Sequence, residues 1–200
     1  LLRYRVPDFE HLSLQQKKLV YYLTEAALHG RDILFDQNGK YNLQIRRLLE
    51  AVYLHFNGDR TCDDFKALEV YLKRVWFSSG IHHHYACDKF EPGFSQKFLW
   101  KCMQELNDAD LEFAKDETRE DLRRKLFPVI FDASVMPKRV NQADGADLVV
   151  TSAANYYEGV TQAEAEDFYA RMKSPDTAEP VMYGLNSRLV KKNGCVQEET

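Results

Sequence analysis

The sequence predicts a mainly α (α+β) fold, a helix-rich domain with a small C-terminal β-hairpin. Three observations predict it. Apolar residues recur at helical spacing through the first two-thirds of the chain, helix-starting and helix-stopping residues flank those stretches, and an Asn-Gly pair separates two extended runs near the end. A chain of 200 residues, 44% apolar and 12% aromatic, has the length and composition to bury a substantial core in one domain.

In order along the chain, Ser13 with Gln16 forms a capping box for a helix ending near His29, where Gly30 supplies the stop. A short helical piece around residues 33–36 breaks at Asn38-Gly39. Asn42 is expected to cap a helix whose Ile45, Leu48, Leu49, Val52, Tyr53 and Phe56 fall on one stripe, with Gly58 ending it. Thr61 is expected to cap the next, striped by Phe65, Leu68, Leu72, Val75 and Trp76 and closed by Ser78-Ser79-Gly80. After a loop over residues 81–93, Ser95 caps a helix carrying Phe98, Leu99, Cys102, Met103 and Leu106. Residues 118–127 form another helix, which Pro128 bends or stops.

Leu148, Val149 and Val150 read as a short strand or the start of a turn, and Thr161 with Glu164 caps a helix through Phe168 towards Met172. Beyond Pro175 and Pro180, residues 181–190, the Asn193-Gly194 turn and the run from Cys195 make the hairpin. Two strands alone are marginal in water, so the hairpin needs packing against the helices or strands of a larger β-core. No internal repeat and no Gly-, Ser- or Pro-rich linker divides the chain. The acidic run over residues 107–121 reads as a solvated helix face and turn.

Composition excludes several functions. Twenty-seven basic against 31 acidic residues give a net charge of −4, which offers no footprint for nucleic acid. No apolar stretch reaches the roughly 18 residues that cross a membrane, and no signal peptide is visible. Cys62, Cys87, Cys102 and Cys195 lack metal or redox spacing. They read as reduced thiols, which points to the cytoplasm, with one bonded pair as the alternative. The start at Leu1-Leu2 rather than Met suggests a processed or excised piece.

HExxH, GxSxG, GxGxxG and GxxxxGK[ST] are all absent. The one unusual constellation is Gly80-Ile81-His82-His83-His84-Tyr85, with Asp88-Lys89-Phe90-Glu91-Pro92 after it. In an extended segment His82 and His84 would point one way and His83 the other. Such a pair can ligate zinc with Asp88 or Glu91 as a third ligand, line a ligand cleft, or bond to backbone groups and helix ends. Tyr21, Tyr22, Tyr71, Trp76, Phe77, Tyr156 and Tyr157 read as core aromatics at helical spacing.

The run from Trp76-Phe77-Ser78-Ser79-Gly80 through the histidines to Pro92 resembles the N-terminal part of the bacterial dipeptidyl peptidase III family. Eukaryotic members carry Gly-Asp-x-Lys-Phe-x-Pro. Aligned on Lys89, Phe90 and Pro92, this chain has Ala86 and Cys87 in place of the Gly-Asp pair. Two further stretches follow in the same order. Asn155-Tyr156-Tyr157-Glu158-Gly159-Val160-Thr161, leading to Phe168, is similar to the family's Tyr-x-x-Gly segment before a helix. Asn186-Ser187-Arg188-Leu189 is similar to its Asn-[Ser/Thr]-Arg-Leu strand.

The resemblance implies a two-lobed zinc exopeptidase that removes dipeptides from the N-termini of short peptides. Its zinc ligands lie on an HExxGH-type helix and a later glutamate, in a lobe this chain lacks. This chain would be part of the N-terminal, substrate-binding lobe, catalytically inactive alone, and the family's peptide-clamping residues correspond to positions beyond Thr200. No catalytic or metal residue carries over. The substrate-contacting candidates are His82, His83, His84, Tyr85, Asp88 and Lys89. The expected partners are short peptides and the missing C-terminal zinc lobe, with no nucleic acid and no membrane. The alternative is a non-catalytic helical protein-interaction module.

Overall fold

In the computed structural model, which describes residues 5–172 and 187–199, helices dominate and one small sheet lies near the C-terminus. The chain divides into two compact units, residues 1–34 and 35–200. The junction falls within a helix, α2 (Arg31–Asn38). That is why no flexible linker marks it in the sequence.

The first unit contains α1 (Leu14–His29), and the predicted capping box is present. Ser13 Oγ accepts from the Gln16 N–H at 3.3 Å, and Gln16 Oε1 accepts from the Ser13 N–H at 2.9 Å. No residue of α1 is buried, although Leu19, Val20, Tyr21, Tyr22 and Leu23 run consecutively through it.

The core of the second unit is built by α3 (Asn42–His55), α4 (Asp63–Ser78), α5 (Gln96–Glu105) and α6 (Arg119–Phe131). The α3 stripe buries Ile45, Leu48, Leu49 and Val52, as the periodicity requires. On α4 the buried set is Phe65, Leu68, Tyr71, Leu72 and Val75. Trp76 turns partly to solvent, and its indole N–H donates to Glu50 at 2.7 Å. Leu99, Cys102 and Met103 of α5 close the core against Leu122, Leu126, Phe127 and Ile130 of α6.

Three expected boundaries differ. Asn42 does not cap α3, because Tyr41 occupies that position; Asn42 lies inside the helix, buried, and its Oδ1 accepts from the Ile81 N–H at 3.2 Å. Cys62 rather than Thr61 precedes α4, and the Thr61 hydroxyl bonds to Asp59 instead. Pro128 does not stop α6, which continues to Phe131. A proline costs one intrahelical bond in the last turn, and the carbonyls beyond it are held from outside the helix by Lys89. The acidic run is also more engaged than a solvated face, since Asp108 pairs with Arg119, Glu112 with Arg47 and Glu117 with Lys125.

Residues 148–150 form a turn, organised by Asp147 Oδ1 accepting from the N–H groups of Val149 and Val150 at 2.9 Å each. α7 (Gln162–Ala170) carries its capping box. The sheet has three strands, β1 (Tyr157–Glu158), β2 (Arg188–Lys192) and β3 (Cys195–Glu199), in that spatial order. β1 runs parallel to β2, with Tyr157 opposite Leu189, and β2 runs antiparallel to β3. The positive φ of Asn193 (51°) and Gly194 (81°) makes the primed turn such hairpins need. The expected first strand over residues 181–190 overlaps β2 only at its end. Residues 181–186, with Pro175, Pro180, Asn186 and Leu1-Leu2, lie outside the described residues. Val160, Ala165 and Leu189 form a second, smaller core beneath the sheet.

Candidate functional site

The histidine segment hangs from the end of α4. Ser79 (φ 51°) terminates that helix in the left-handed region, and the Gly80 N–H closes onto the Val75 carbonyl at 3.0 Å. A side chain on Gly80 would place its Cβ 2.4 Å from Asn42 Nδ2, so only glycine fits between the helix end and Asn42. Residues 81–83 then pair with residues 88–90, with His82 opposite Lys89. The Phe90 N–H donates to Ile81 and the His83 N–H to Asp88, each at 2.8 Å. A further bridge joins Asp88 to Lys138. The loop is therefore a pinned hairpin with residues 84–87 at its tip.

The three histidines take three different environments, and the expected alternation ends at the tip. His82 is 2% exposed, and its Nε2 lies 2.8 Å from the Met136 carbonyl. A carbonyl only accepts, so Nε2 carries the proton and Nδ1 is bare, buried and without a partner. Burial holds the imidazole below its ordinary pKa, with Lys89 and Arg139 pushing the same way against the Met136 bond and Asp88. His83 turns back on its own loop, its Nδ1 accepting from the N–H groups of Tyr85 (3.2 Å) and Ala86 (3.1 Å). His84 stacks on His83 with centroids 4.6 Å apart and meets Phe77 edge-on at 4.9 Å. Its Nδ1 lies 3.4 Å from the hydroxyl of Ser78. That hydroxyl is buried at the carbonyl end of α4, where the helix dipole disfavours an alkoxide, so the contact orients the ring rather than activating a nucleophile.

Tyr85 and Phe77 are the exposed members, at 84% and 76%. Asp88 pairs with Lys138. The Lys89 ammonium is turned inward onto the carbonyls of Val129, Asp132 and Val135 at the end of α6, and burial lowers its pKa. Asp88 and Lys89 also line a recess of about 230 Å³ with Phe90, Glu91, Phe131 and Lys138. That is below the roughly 300 Å³ at which pockets for drug-sized ligands begin. Of the six candidates, His82 and Lys89 are thus engaged in holding the loop. Tyr85 is exposed at its tip beside the half-buried His83 and His84 rings, and the exposed Phe77 is added to them.

Sequence reasoning missed Arg139. Its guanidinium donates to Asn38 Oδ1 (3.1 Å), to the His84 carbonyl (2.9 Å) and towards Cys87 Sγ (3.7 Å). Its main chain bonds to Cys87 O at 2.9 Å on one side and accepts from the Ala154 N–H at 3.1 Å on the other. An isolated arginine in a loop carries no signal of such a role. Among the described residues no three His, Cys, Asp or Glu side chains gather at metal-binding distance. All four cysteines are free, and no helix among the described residues is long and apolar enough to cross a membrane. No protein-family model and no curated protein matches the chain.

Proposed function

We propose that the chain is part of the substrate-binding lobe of a two-lobed zinc dipeptidyl peptidase. In this reading it contributes one wall of the cleft that holds short peptides and is inactive alone. One observation carries the reading. The three stretches that resemble the dipeptidyl peptidase III family are tied by two sets of main-chain hydrogen bonds. One runs from the histidine loop through Arg139 to Ala154, the residue before the second stretch, and one joins the second stretch to the third. The Arg139 N–H reaches Cys87 in the histidine loop, the Ala154 N–H reaches Arg139, and the Leu189 N–H reaches Tyr156 at 2.8 Å. Segments distant in sequence are thus tied together through the main chain, which suits a shared binding role better than three unrelated loops.

Zinc and its ligands would belong to the other lobe, as the family resemblance implies. The stacked rings of His83 and His84 and the exposed Tyr85 supply an aromatic and hydrogen-bonding surface, which suits positioning a peptide rather than cleaving it. The free thiols suit a reducing compartment, and the cytoplasm is the proposed location. The reading is tested by assaying the 200-residue protein with zinc and chromogenic dipeptide substrates. No release is expected, and zinc-dependent release would overturn it. A coding sequence without an HExxGH helix downstream would overturn it equally.

A second reading, a non-catalytic helical interaction module, is favoured by α1. Its five consecutive large apolar residues, 19–23, are all exposed, as in a helix that seeks a partner. A reading frame that stops just after Thr200 would favour this module.

A further inference from the structure

We propose that Arg139 is the positioning residue of the histidine loop: by bridging His84 to Asn38 it sets the stance of the His84 and Tyr85 rings that contact peptide. The peptide half of this inference rests on the function proposed above; the positioning half rests on geometry alone.

Arg139 presents two diverging N–H groups to two acceptors that belong to different elements. One meets the Asn38 side chain at the end of α2, and the other meets the main-chain carbonyl of His84 at the loop tip. Asn38 is itself anchored, its Nδ2 donating to the Ser79 carbonyl at 3.0 Å where α4 ends. The His84 ring is fixed from its other side by Ser78 and Phe77. His84 is therefore clamped through its carbonyl and its ring together, and the next residue, Tyr85, leans on it with centroids 4.3 Å apart. The planar fork of arginine spans both acceptors at once. A lysine ammonium is compact and lacks the two separated donor nitrogens of the fork, so it cannot reproduce the geometry at both acceptors. The buried Nε finds no partner, so Arg139 is oriented by the bridge and by its contact with Cys87 Sγ rather than by a fully satisfied pocket.

The test uses the full 200-residue chain. Ring resonances of His84 and Tyr85 are followed by NMR in wild type, Arg139→Lys and Asn38→Ala. Each protein is then titrated with the tetrapeptide Ala-Phe-Ala-Ala bearing a free amino terminus. In Arg139→Lys both rings should shift while the core resonances stay in place, and peptide affinity should fall about tenfold or more. Asn38→Ala removes one arm of the bridge and should move the same rings by less, which keeps the proposal testable if the lysine variant folds poorly. Unmoved rings in both variants would overturn the positioning role, and moved rings with unchanged affinity would overturn its link to peptide. A wild-type chain that binds no tetrapeptide would overturn the contact of these rings with peptide in this chain, and the positioning role would then be decided by the ring shifts.

Discussion

The ammonium of Lys89 donates to the carbonyl oxygen of Val135 at 2.6 Å, and the same group reaches Val129 (3.1 Å) and Asp132. A residue of the histidine loop thereby caps α6, whose last carbonyls have no intrahelical partner and lie at the negative end of the helix dipole. Replacing Lys89 with methionine keeps the stem and removes the donor. Hydrogen bonds to a charged group are worth about 2 kcal/mol, so urea unfolding should show a loss of about that size. Hydrogen exchange should quicken first in the last turn of α6, around Ile130 and Phe131. Unchanged exchange there would mean that water caps those carbonyls equally well.

His82 should make stability depend on pH. Its folded pKa lies below the ordinary value of 6.5 because burial penalises the imidazolium. Between the two values the unfolded chain binds more protons than the folded one, so stability rises with pH. The contribution is complete above about pH 6.5 and is lost as the pH falls towards the depressed folded value. Unfolding midpoints at pH 7.5 and pH 5.0 should therefore differ more in wild type than in His82→Gln, which keeps a donor for Met136 but does not titrate. Equal differences in the two proteins would assign the acid sensitivity elsewhere.

Gly80 and Asn42 should couple. In Gly80→Ala the added carbon would stand 2.4 Å from Asn42 Nδ2, on a backbone with φ of +150°, and must displace a buried amide. Overpacking of this kind costs about 1–3 kcal/mol. Asn42→Ala also destabilises, because the Ile81 N–H loses its acceptor. The double variant removes the clash, so its cost should be smaller than the sum of the single costs. Additive costs measured by denaturant unfolding would show that the Asn42 amide moves aside freely.

Helices were legible wherever local chemistry decides them. The Ser13–Gln16 and Thr161–Glu164 boxes, the Ser95 cap and the Ile45–Leu49–Val52 stripe each involve residues within a few turns of one another. Asn42 was misread because its acceptor role is fixed by Ile81, 39 residues away. A cap-forming side chain looks the same in sequence whether its donor is local or distant. β1 was invisible, since two residues carry no periodicity, and only the pairing of Tyr157 with Leu189 makes them a strand. The histidines stood out by composition, yet their separate environments follow from where the loop turns back. Arg139 left no trace, because a bridge between Asn38 and His84 is a property of the folded chain alone.

The Asn193-Gly194 turn offers a change whose cost is all backbone. Gly194 has φ of +81°, and a Cβ built there meets nothing within 4 Å, so Gly194→Ala introduces conformational strain without a clash. A non-glycine residue in the left-handed region costs about 1–2 kcal/mol. The strain falls on β2 and β3, whose register runs from Lys192 opposite Cys195 to Arg188 opposite Glu199. Leu189 carries the second core with Val160 and Ala165, so loosening the hairpin should also release α7 while leaving the α3–α6 core intact. Amide exchange should quicken by about tenfold in β2, β3 and α7 together. Exchange rising only at the turn would show that the sheet is held by the pairing of β1 with β2 rather than by the hairpin. Gly194→Asn, which tolerates positive φ, should recover most of the loss.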